Sequence, residues 1–279
     1  MVIDAHQHFW RFNPVRDGWI TNEMAAIRRD FLPGDLELEL DACGVDATIA
    51  VQADQSEAET EFLLELAEGN RRISGVVGWV DLQSAEVERR LEHFSRYKKL
   101  RGVRHVAQAE ADDRFLVRPE FVRGVGKLKG FGLAYDILIY PRQLPAAIEL
   151  VGKLPEQKFV VDHLAKPEIQ ARKLEPWAAQ IREIAANPNV FCKLSGMVTE
   201  ADWKSWKAAD FEPYLDVVFD AFGGQRLMFG SDWPVCLVAG SYGQVKNIVE
   251  SYVDHRANSA KSAIFGDNVK RFYQIQSLR

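Results

Sequence analysis

His6 and His8 stand one residue apart at the end of a short apolar run, Val2-Ile3-Asp4-Ala5-His6-Gln7-His8-Phe9. In a β-strand, residues i and i+2 point to the same side, so the two imidazoles are presented together at the strand's C-terminal end. That spacing suits a divalent ion, with His163 or Asp232 completing the set. Asp232 follows a second apolar run in Phe229-Gly230-Ser231-Asp232-Trp233-Pro234. There it could accept the proton of an attacking water and return it to a leaving group. Arg104, His105 and Lys193, with Asp136 beside them, could hold polar or anionic parts of a substrate. Trp10, Trp79 and Trp233 offer rings to a sugar face. The chemistry these residues suit is metal-assisted or acid/base hydrolysis.

Chemistry of this kind needs elements that bring distant residues to one place, and the pattern of the chain supplies them. Short, nearly continuous apolar runs recur from residue 2, at 47–52, 75–80, 101–106, 132–138, 158–163, 190–195 and 227–231. Runs of this sort read as strands of a parallel sheet buried on both faces. Between them lie helical patterns. Pro33-Gly34-Asp35 opens one that Gly44 stops, Ser56 with Glu59 starts the next, and Ser84 caps one running to about Tyr97. Others fall near 119–129, 142–153, 174–186 and 210–222. Eight such units, without a glycine-rich phosphate loop after the first strand, fit a (β/α)8 barrel better than a doubly wound sheet. A single domain over 1–279 is the simplest account.

In such a barrel the site lies at the C-terminal ends of the strands, and these ends are unusually polar. They carry His6 and His8, Gln52, Trp79 and Asp81, Arg104 and His105, Tyr135 and Asp136, Asp162 and His163, Lys193 and Ser195, and Ser231 and Asp232. Four of the six histidines fall there, whereas His93 and His255 sit in charged helical stretches and read as surface residues. Strand eight closes against strand one, which sets Asp232 beside His6 and His8. The loop over residues 9–32 is too long for a mere connection and is a candidate part of the site.

Composition narrows the partners. The 279 residues are 47% apolar, with 35 Lys and Arg against 40 Asp and Glu and a net charge of −5. There is no basic block, so neither nucleic acid nor an anionic membrane surface is expected. No apolar run reaches membrane-spanning length and no signal segment opens the chain, so the expected location is cytoplasmic. Cys43, Cys192 and Cys236 read as reduced core thiols. A small molecule is the expected partner, and the oligomeric state is left open, a homo-oligomer included.

Taken together, Asp4-Ala5-His6-Gln7-His8-Phe9-Trp10, Gly102-Val103-Arg104-His105, Val161-Asp162-His163-Leu164-Ala165-Lys166-Pro167, Lys193-Leu194-Ser195-Gly196 and Phe229-Gly230-Ser231-Asp232-Trp233-Pro234 resemble the amidohydrolase superfamily, and within it the sugar lactonase branch. The resemblance implies a somewhat distorted (β/α)8 barrel that opens a cyclic ester such as an L-fucono-, L-rhamnono- or L-galactono-lactone. By the same implication His6, His8 and Asp232 occupy ligand positions, His163 is a ligand or a carbonyl-polarising residue, and Asp232 is also the acid/base. Members with a full metal site often bring a lysine or glutamate on strand four and a histidine on strand five. Here those places hold Arg104-His105 and Tyr135-Asp136, so one ion, zinc by preference, is expected rather than two. An ion that is weakly held or dispensable also fits, because related lactone hydrolases work without a metal.

Three readings follow. A neutral polyol lactone is the expected substrate, because a dicarboxylated lactone would need more cations than Arg104 and Lys193, with Arg11 or Arg16, provide. A decarboxylase of the same superfamily is the alternative reaction. A non-catalytic sugar-binding barrel is the alternative from another class, though it would have no use for His6, His8 and Asp232 converging.

Overall fold

A computed structural model describes residues 1–275. Its framework is one sheet of eight parallel strands in chain order, β1 (Ile3–Gln7), β2 (Ala47–Val51), β3 (Ile73–Gly78), β4 (Leu100–His105), β5 (Ala134–Ile137), β6 (Phe159–Val161), β7 (Val190–Leu194) and β8 (Leu227–Phe229). Each expected strand is present within a few residues of its expected bounds. Helices α1 (Pro33–Ala42), α2 (Glu57–Gly69), α3 (Val87–Phe94), α4 (Pro119–Leu128), α5 (Leu144–Lys153), α6 (Trp177–Ala185) and α7 (Glu212–Phe222) alternate with the strands, and α8 (Tyr242–Arg256) and α9 (Asn268–Tyr273) follow β8. The result is a (β/α)8 barrel. Residues 276–279 of the expected domain lie outside the described residues.

Local chemistry explains the boundaries. Pro33 begins α1 where its missing N–H is not needed. The Ser56 hydroxyl caps α2 by accepting from the Glu59 amide at 3.2 Å, but Glu59 turns its carboxylate to the Ala53 and Asp54 amides instead of completing a capping box. Ser84 was expected to cap α3. Its hydroxyl instead accepts from the Glu86 amide two residues on, which makes a turn and delays the helix to Val87. His255 is exposed as expected, whereas His93 is half-buried against the Phe94 ring.

Apolar side chains lie in two layers. Outward-facing strand residues such as Val76, Val103, Phe159 and Leu194 pack under the helices, which bury matching stripes such as Val87, Leu91 and Phe94 of α3. Inside the barrel, Ile3, Ala5, Ile49, Val77, Val160 and Met228 meet Val269, Phe272 and Tyr273, so α9 plugs the barrel.

The barrel is closed between β8 and β1 by a bridge just past the strand ends. Gln7 pairs with Trp233, the His8 amide donates to the Trp233 carbonyl at 2.7 Å, and the Asp232 amide donates to the His6 carbonyl at 2.8 Å. This closure carries a consequence for the site. In the pairing of β1 with β2, Asp4 lies opposite Thr48 but Gln7 lies opposite Ala50, so β1 holds one extra residue. Strict alternation would put His6 on the face opposite Ile3 and Ala5. The bulge resets the parity, and His6 faces the barrel interior beside Lys193.

Candidate metal and hydrolytic site

Asp4 holds the bulge that aims the histidines. It is fully buried, its Oδ1 accepts from the amides of His6 (3.0 Å) and Ser231 (2.9 Å), and its Oδ2 accepts from the hydroxyls of Ser231 (2.6 Å) and Tyr242 (3.0 Å). Burial pushes its carboxyl up to about 6, against the pull of these four donors. It thereby ties β1 to the segment that carries Asp232. Asp232 itself has φ 58°, a left-handed conformation that aspartate tolerates better than most residues.

His163 is aimed by a second unusual backbone. Residues His163, Leu164, Ala165 and Lys166 all have positive φ, between 50° and 57°. Left-handed conformation costs about 1–2 kcal/mol per non-glycine residue, so four in succession store strain at this point. The surroundings hold it: Leu164 and Ala165 are fully buried, the Leu164 carbonyl accepts from the Trp177 indole N–H at 2.7 Å, and the Lys166 amide returns to the His163 carbonyl at 2.7 Å. Ser195 Oγ lies 2.8 Å from His163 Nδ1. Gly196, at φ 65°, passes so close that a Cβ there would stand 2.6 Å from the imidazole.

These elements bring His6, His8, His163 and Asp232 together. Asp232 Oδ1 is 3.3 Å from His8 Nε2, 3.8 Å from His6 Nε2 and 3.7 Å from His163 Nε2, and the two Nε2 atoms of His6 and His8 are 3.2 Å apart. The proton positions follow from the partners. His8 Nδ1 lies 2.7 Å from the Val51 carbonyl, which can only accept, so Nδ1 carries the hydrogen and Nε2 is bare. Arg104 Nη1 lies 3.3 Å from His6 Nε2, and His6 Nδ1 lies between Lys193 Nζ at 3.2 Å and Asp162 Oδ1 at 3.4 Å. Arg104 and Lys193 only donate, so a neutral ring accepts from one of them, and with its hydrogen on Nδ1 toward Asp162 the Nε2 is bare too. Two bare lone pairs and a carboxylate oxygen thus converge without a proton between them.

Burial holds the His6 and His163 imidazoles well below their usual range, against the fields of Asp162 and Asp232 respectively, so both are neutral. Burial alone would raise the Asp232 carboxyl, but the polar groups crowding it, His163 foremost and the Lys166 ammonium among them, outweigh it and hold it below the usual carboxylate range. A donor set of this kind fits a metal. Ligands about 2.0–2.1 Å from a tetrahedral zinc stand roughly 3.3 Å apart, close to the separations found here. The second nitrogens of both histidines are already fixed by Val51 and Asp162, as ligand imidazoles require.

The site opens into a cavity of about 310 Å³. His8, Arg104, His163 and Asp232, each 3–4% exposed, form its inner end. Val106, Leu138 and Val235 add apolar wall, while Arg16, Lys166 and the 43% exposed Trp19 also line it. The long loop after β1 therefore contributes to the pocket, through Arg16 and Trp19.

Several expected substrate ligands lie elsewhere. Lys193 and Asp136 are fully buried behind His6: Lys193 Nζ is 2.5 Å from Asp136 Oδ2, 3.0 Å from Asp162 Oδ1 and 3.2 Å from His6 Nδ1. Burial pushes the Asp136 carboxyl up to about 6, with Lys193 opposing, while Lys193 and His6 overcome burial at Asp162 and hold it well below its usual range. His105 is absent from the pocket wall because Glu110 takes its Nε2 at 2.8 Å and its ring stacks on Phe115. Trp79 points its indole N–H at His105 Nδ1. Trp10 and Trp233 are 2% exposed, packed edge-on against Phe31 in the core, so neither ring is free for a sugar. Trp19 is the pocket's indole, and the sequence marked only its loop. Lys166 was legible only as part of the Asp162–Pro167 motif, and Asp4 only as part of the first strand.

The chain has relatives along nearly its whole length. It is 44% identical to an L-fucono-1,5-lactonase of Burkholderia multivorans, covering 98% of this chain and 96% of the relative, and 39% identical to an L-fucono-1,5-lactonase of Burkholderia ambifaria, covering 98% and 95%. Among solved structures, an amidohydrolase from Burkholderia multivorans with bound zinc superposes with a TM-score of 0.95 at 43% identity, covering 99% of this chain and all of the other. The amidohydrolase family matches residues 3–275, and the chain belongs to it.

Proposed function

We propose that this protein is a lactonase that opens the ring of L-fucono-1,5-lactone or a close sugar-lactone relative, giving the aldonic acid. The observation that carries the reading is the convergence of the His6 and His8 lone pairs with the Asp232 carboxylate at the inner end of a small cavity. The 44% identity to a lactonase over nearly the whole chain supports the substrate class. A volume of about 310 Å³ is at the small end of ligand sites, suited to a monosaccharide derivative.

His6, His8 and Asp232 would hold one divalent ion, zinc by analogy with the zinc-bound relative. When bound, the ion supplies positive charge that polarises the lactone carbonyl and makes water more acidic. Asp232, ionised at neutral pH, takes the proton of the attacking water and delivers it to the ring oxygen as the C–O bond breaks. His163 stands outside the His6–His8–Asp232 triple. With the Ser195 hydroxyl donating to Nδ1, His163 Nε2–H donates to the carbonyl oxygen as negative charge develops there. Each cation at the pocket already has an acid beside it: Arg16 has Asp17 (2.8 Å), Lys166 has Glu200 (3.0 Å) and Arg104 has Asp162 (3.1 Å). That neutralisation favours a neutral polyol lactone over a dicarboxylate.

A pH-indicator assay across a panel of aldonolactones tests the reading, since ring opening releases a proton. Turnover is expected for L-fucono-1,5-lactone and its stereochemical neighbours. Faster turnover of a dicarboxylated lactone, or none of any sugar lactone, refutes it. Chelation followed by metal analysis tests the ion separately, because a metal-free protein at full rate would remove the metal and leave the lactonase.

A further inference from the structure

Arg104 occupies a place that a simple metal site does not explain. Its Nη1 lies 3.1 Å from Asp162 Oδ2 and 3.3 Å from His6 Nε2, while Nη2 donates to the Gln52 carbonyl. The side chain is 4% exposed, so bulk water does not replace these partners. A guanidinium only donates and stays charged; with Lys193 satisfied by Asp136 and Asp162 and the His6 hydrogen on Nδ1, Arg104 uses the His6 Nε2 lone pair. That lone pair is the one a metal ion bound by His6 and His8 would need, and one lone pair serves one partner. The same Asp162 anchors both sides of the contest, because it faces Arg104 through Oδ2 and His6 Nδ1 through Oδ1. A fixed positive charge beside the ion also opposes binding by direct repulsion.

We infer that Arg104 and a divalent ion compete for His6 Nε2, so that Arg104 sets the metal affinity of the site. The inference rests on the metal assignment proposed above and is independent of which lactone is opened.

Calorimetric titration of zinc into chelator-treated, chelator-free protein tests it. Arg104→Met keeps the side-chain length and removes both charge and donors, and Asp162 retains Lys193 at 3.0 Å to balance it. Zinc is expected to bind Arg104→Met about tenfold or more tightly than wild type, with Arg104→Lys between them. Equal or weaker binding by Arg104→Met overturns the competition. Should that variant fail to fold, ¹⁵N NMR of the wild-type Arg104 guanidinium decides: its Nη resonance should shift when zinc saturates the protein, and an unmoved resonance overturns the inference. Zinc binding without lactone turnover would refute the lactonase and leave the competition standing. Absence of zinc binding by both proteins overturns the metal assignment and the competition together.

Discussion

Asp232→Asn separates chemistry from folding more cleanly than any other change in the site. The aspartate has φ 58°, where asparagine is also tolerated, whereas alanine would add about 1–2 kcal/mol of left-handed strain. Both backbone bonds of residue 232 survive: the amide to the His6 carbonyl (2.8 Å) and the carbonyl accepting from the Cys236 amide (2.9 Å). What changes is Oδ1, the atom 3.3–3.8 Å from three imidazole nitrogens, or its amide replacement. A neutral amide cannot take a proton from water, so turnover should fall by the roughly 10²–10⁴ that general acid/base catalysis supplies, about 3–5 kcal/mol in the barrier. Loss of a metal ligand would deepen the fall. Because the interaction is made in the transition state, kcat and kcat/KM should fall together. Stability should change by less than about 1 kcal/mol, a shift of roughly 2–4 °C at most for a chain of this size. Steady-state kinetics on the best lactone and a thermal melt measure the two. A variant that keeps more than about a tenth of wild-type kcat shows that Asp232 is not the base.

Three further changes probe what surrounds it. Lys193→Met strands the fully buried carboxylate of Asp136 and leaves Asp162 with Arg104 alone, so chemical denaturation should show a loss of about 3–5 kcal/mol; a loss below about 1 kcal/mol would mean the network is relieved some other way. Gly196→Ala drives a Cβ to 2.6 Å from the His163 ring at a φ of 65°, and should cost more than about 1 kcal/mol in an unfolding titration and lower kcat by displacing His163; wild-type turnover would refute that role. Glu59, which burial pushes from 4.5 up to about 7, binds its proton more tightly in the folded state than in the unfolded one. Its contribution to stability therefore falls as pH rises from about 4.5 to 7 and is flat above, a change on the order of 3 kcal/mol. Glu59→Gln keeps the oxygen that accepts from Ala53 and Asp54 but cannot ionise, so wild type should lose stability relative to it across that window, and a difference that does not vary with pH would count against the reading.

The sequence by itself determined the alternation of apolar strands and amphipathic helices, because burial on both faces leaves an unmistakable run of apolar residues. It also determined that polar residues gather at the strand ends, which placed His6, His8, His163 and Asp232 in one site. What it could not determine was parity and depth. The extra residue in β1 that turns His6 inward exists only in its pairing with β2, and is held there by Asp4, which ties the His6 amide to Ser231 across the barrel closure. The left-handed run from His163 to Lys166 contradicts local preference and persists only because Trp177 and the buried neighbours fix it. Sequence position could not tell that Lys193 and Asp136 end behind His6 as its support, nor that Trp10 and Trp233 fill the core while Trp19 reaches the pocket. Residue type states what a side chain can do; which partner it meets is decided by contacts between segments distant in the chain, 57 residues apart for Lys193 and Asp136 and 227 for Asp4 and Ser231, and only the closed barrel makes those contacts.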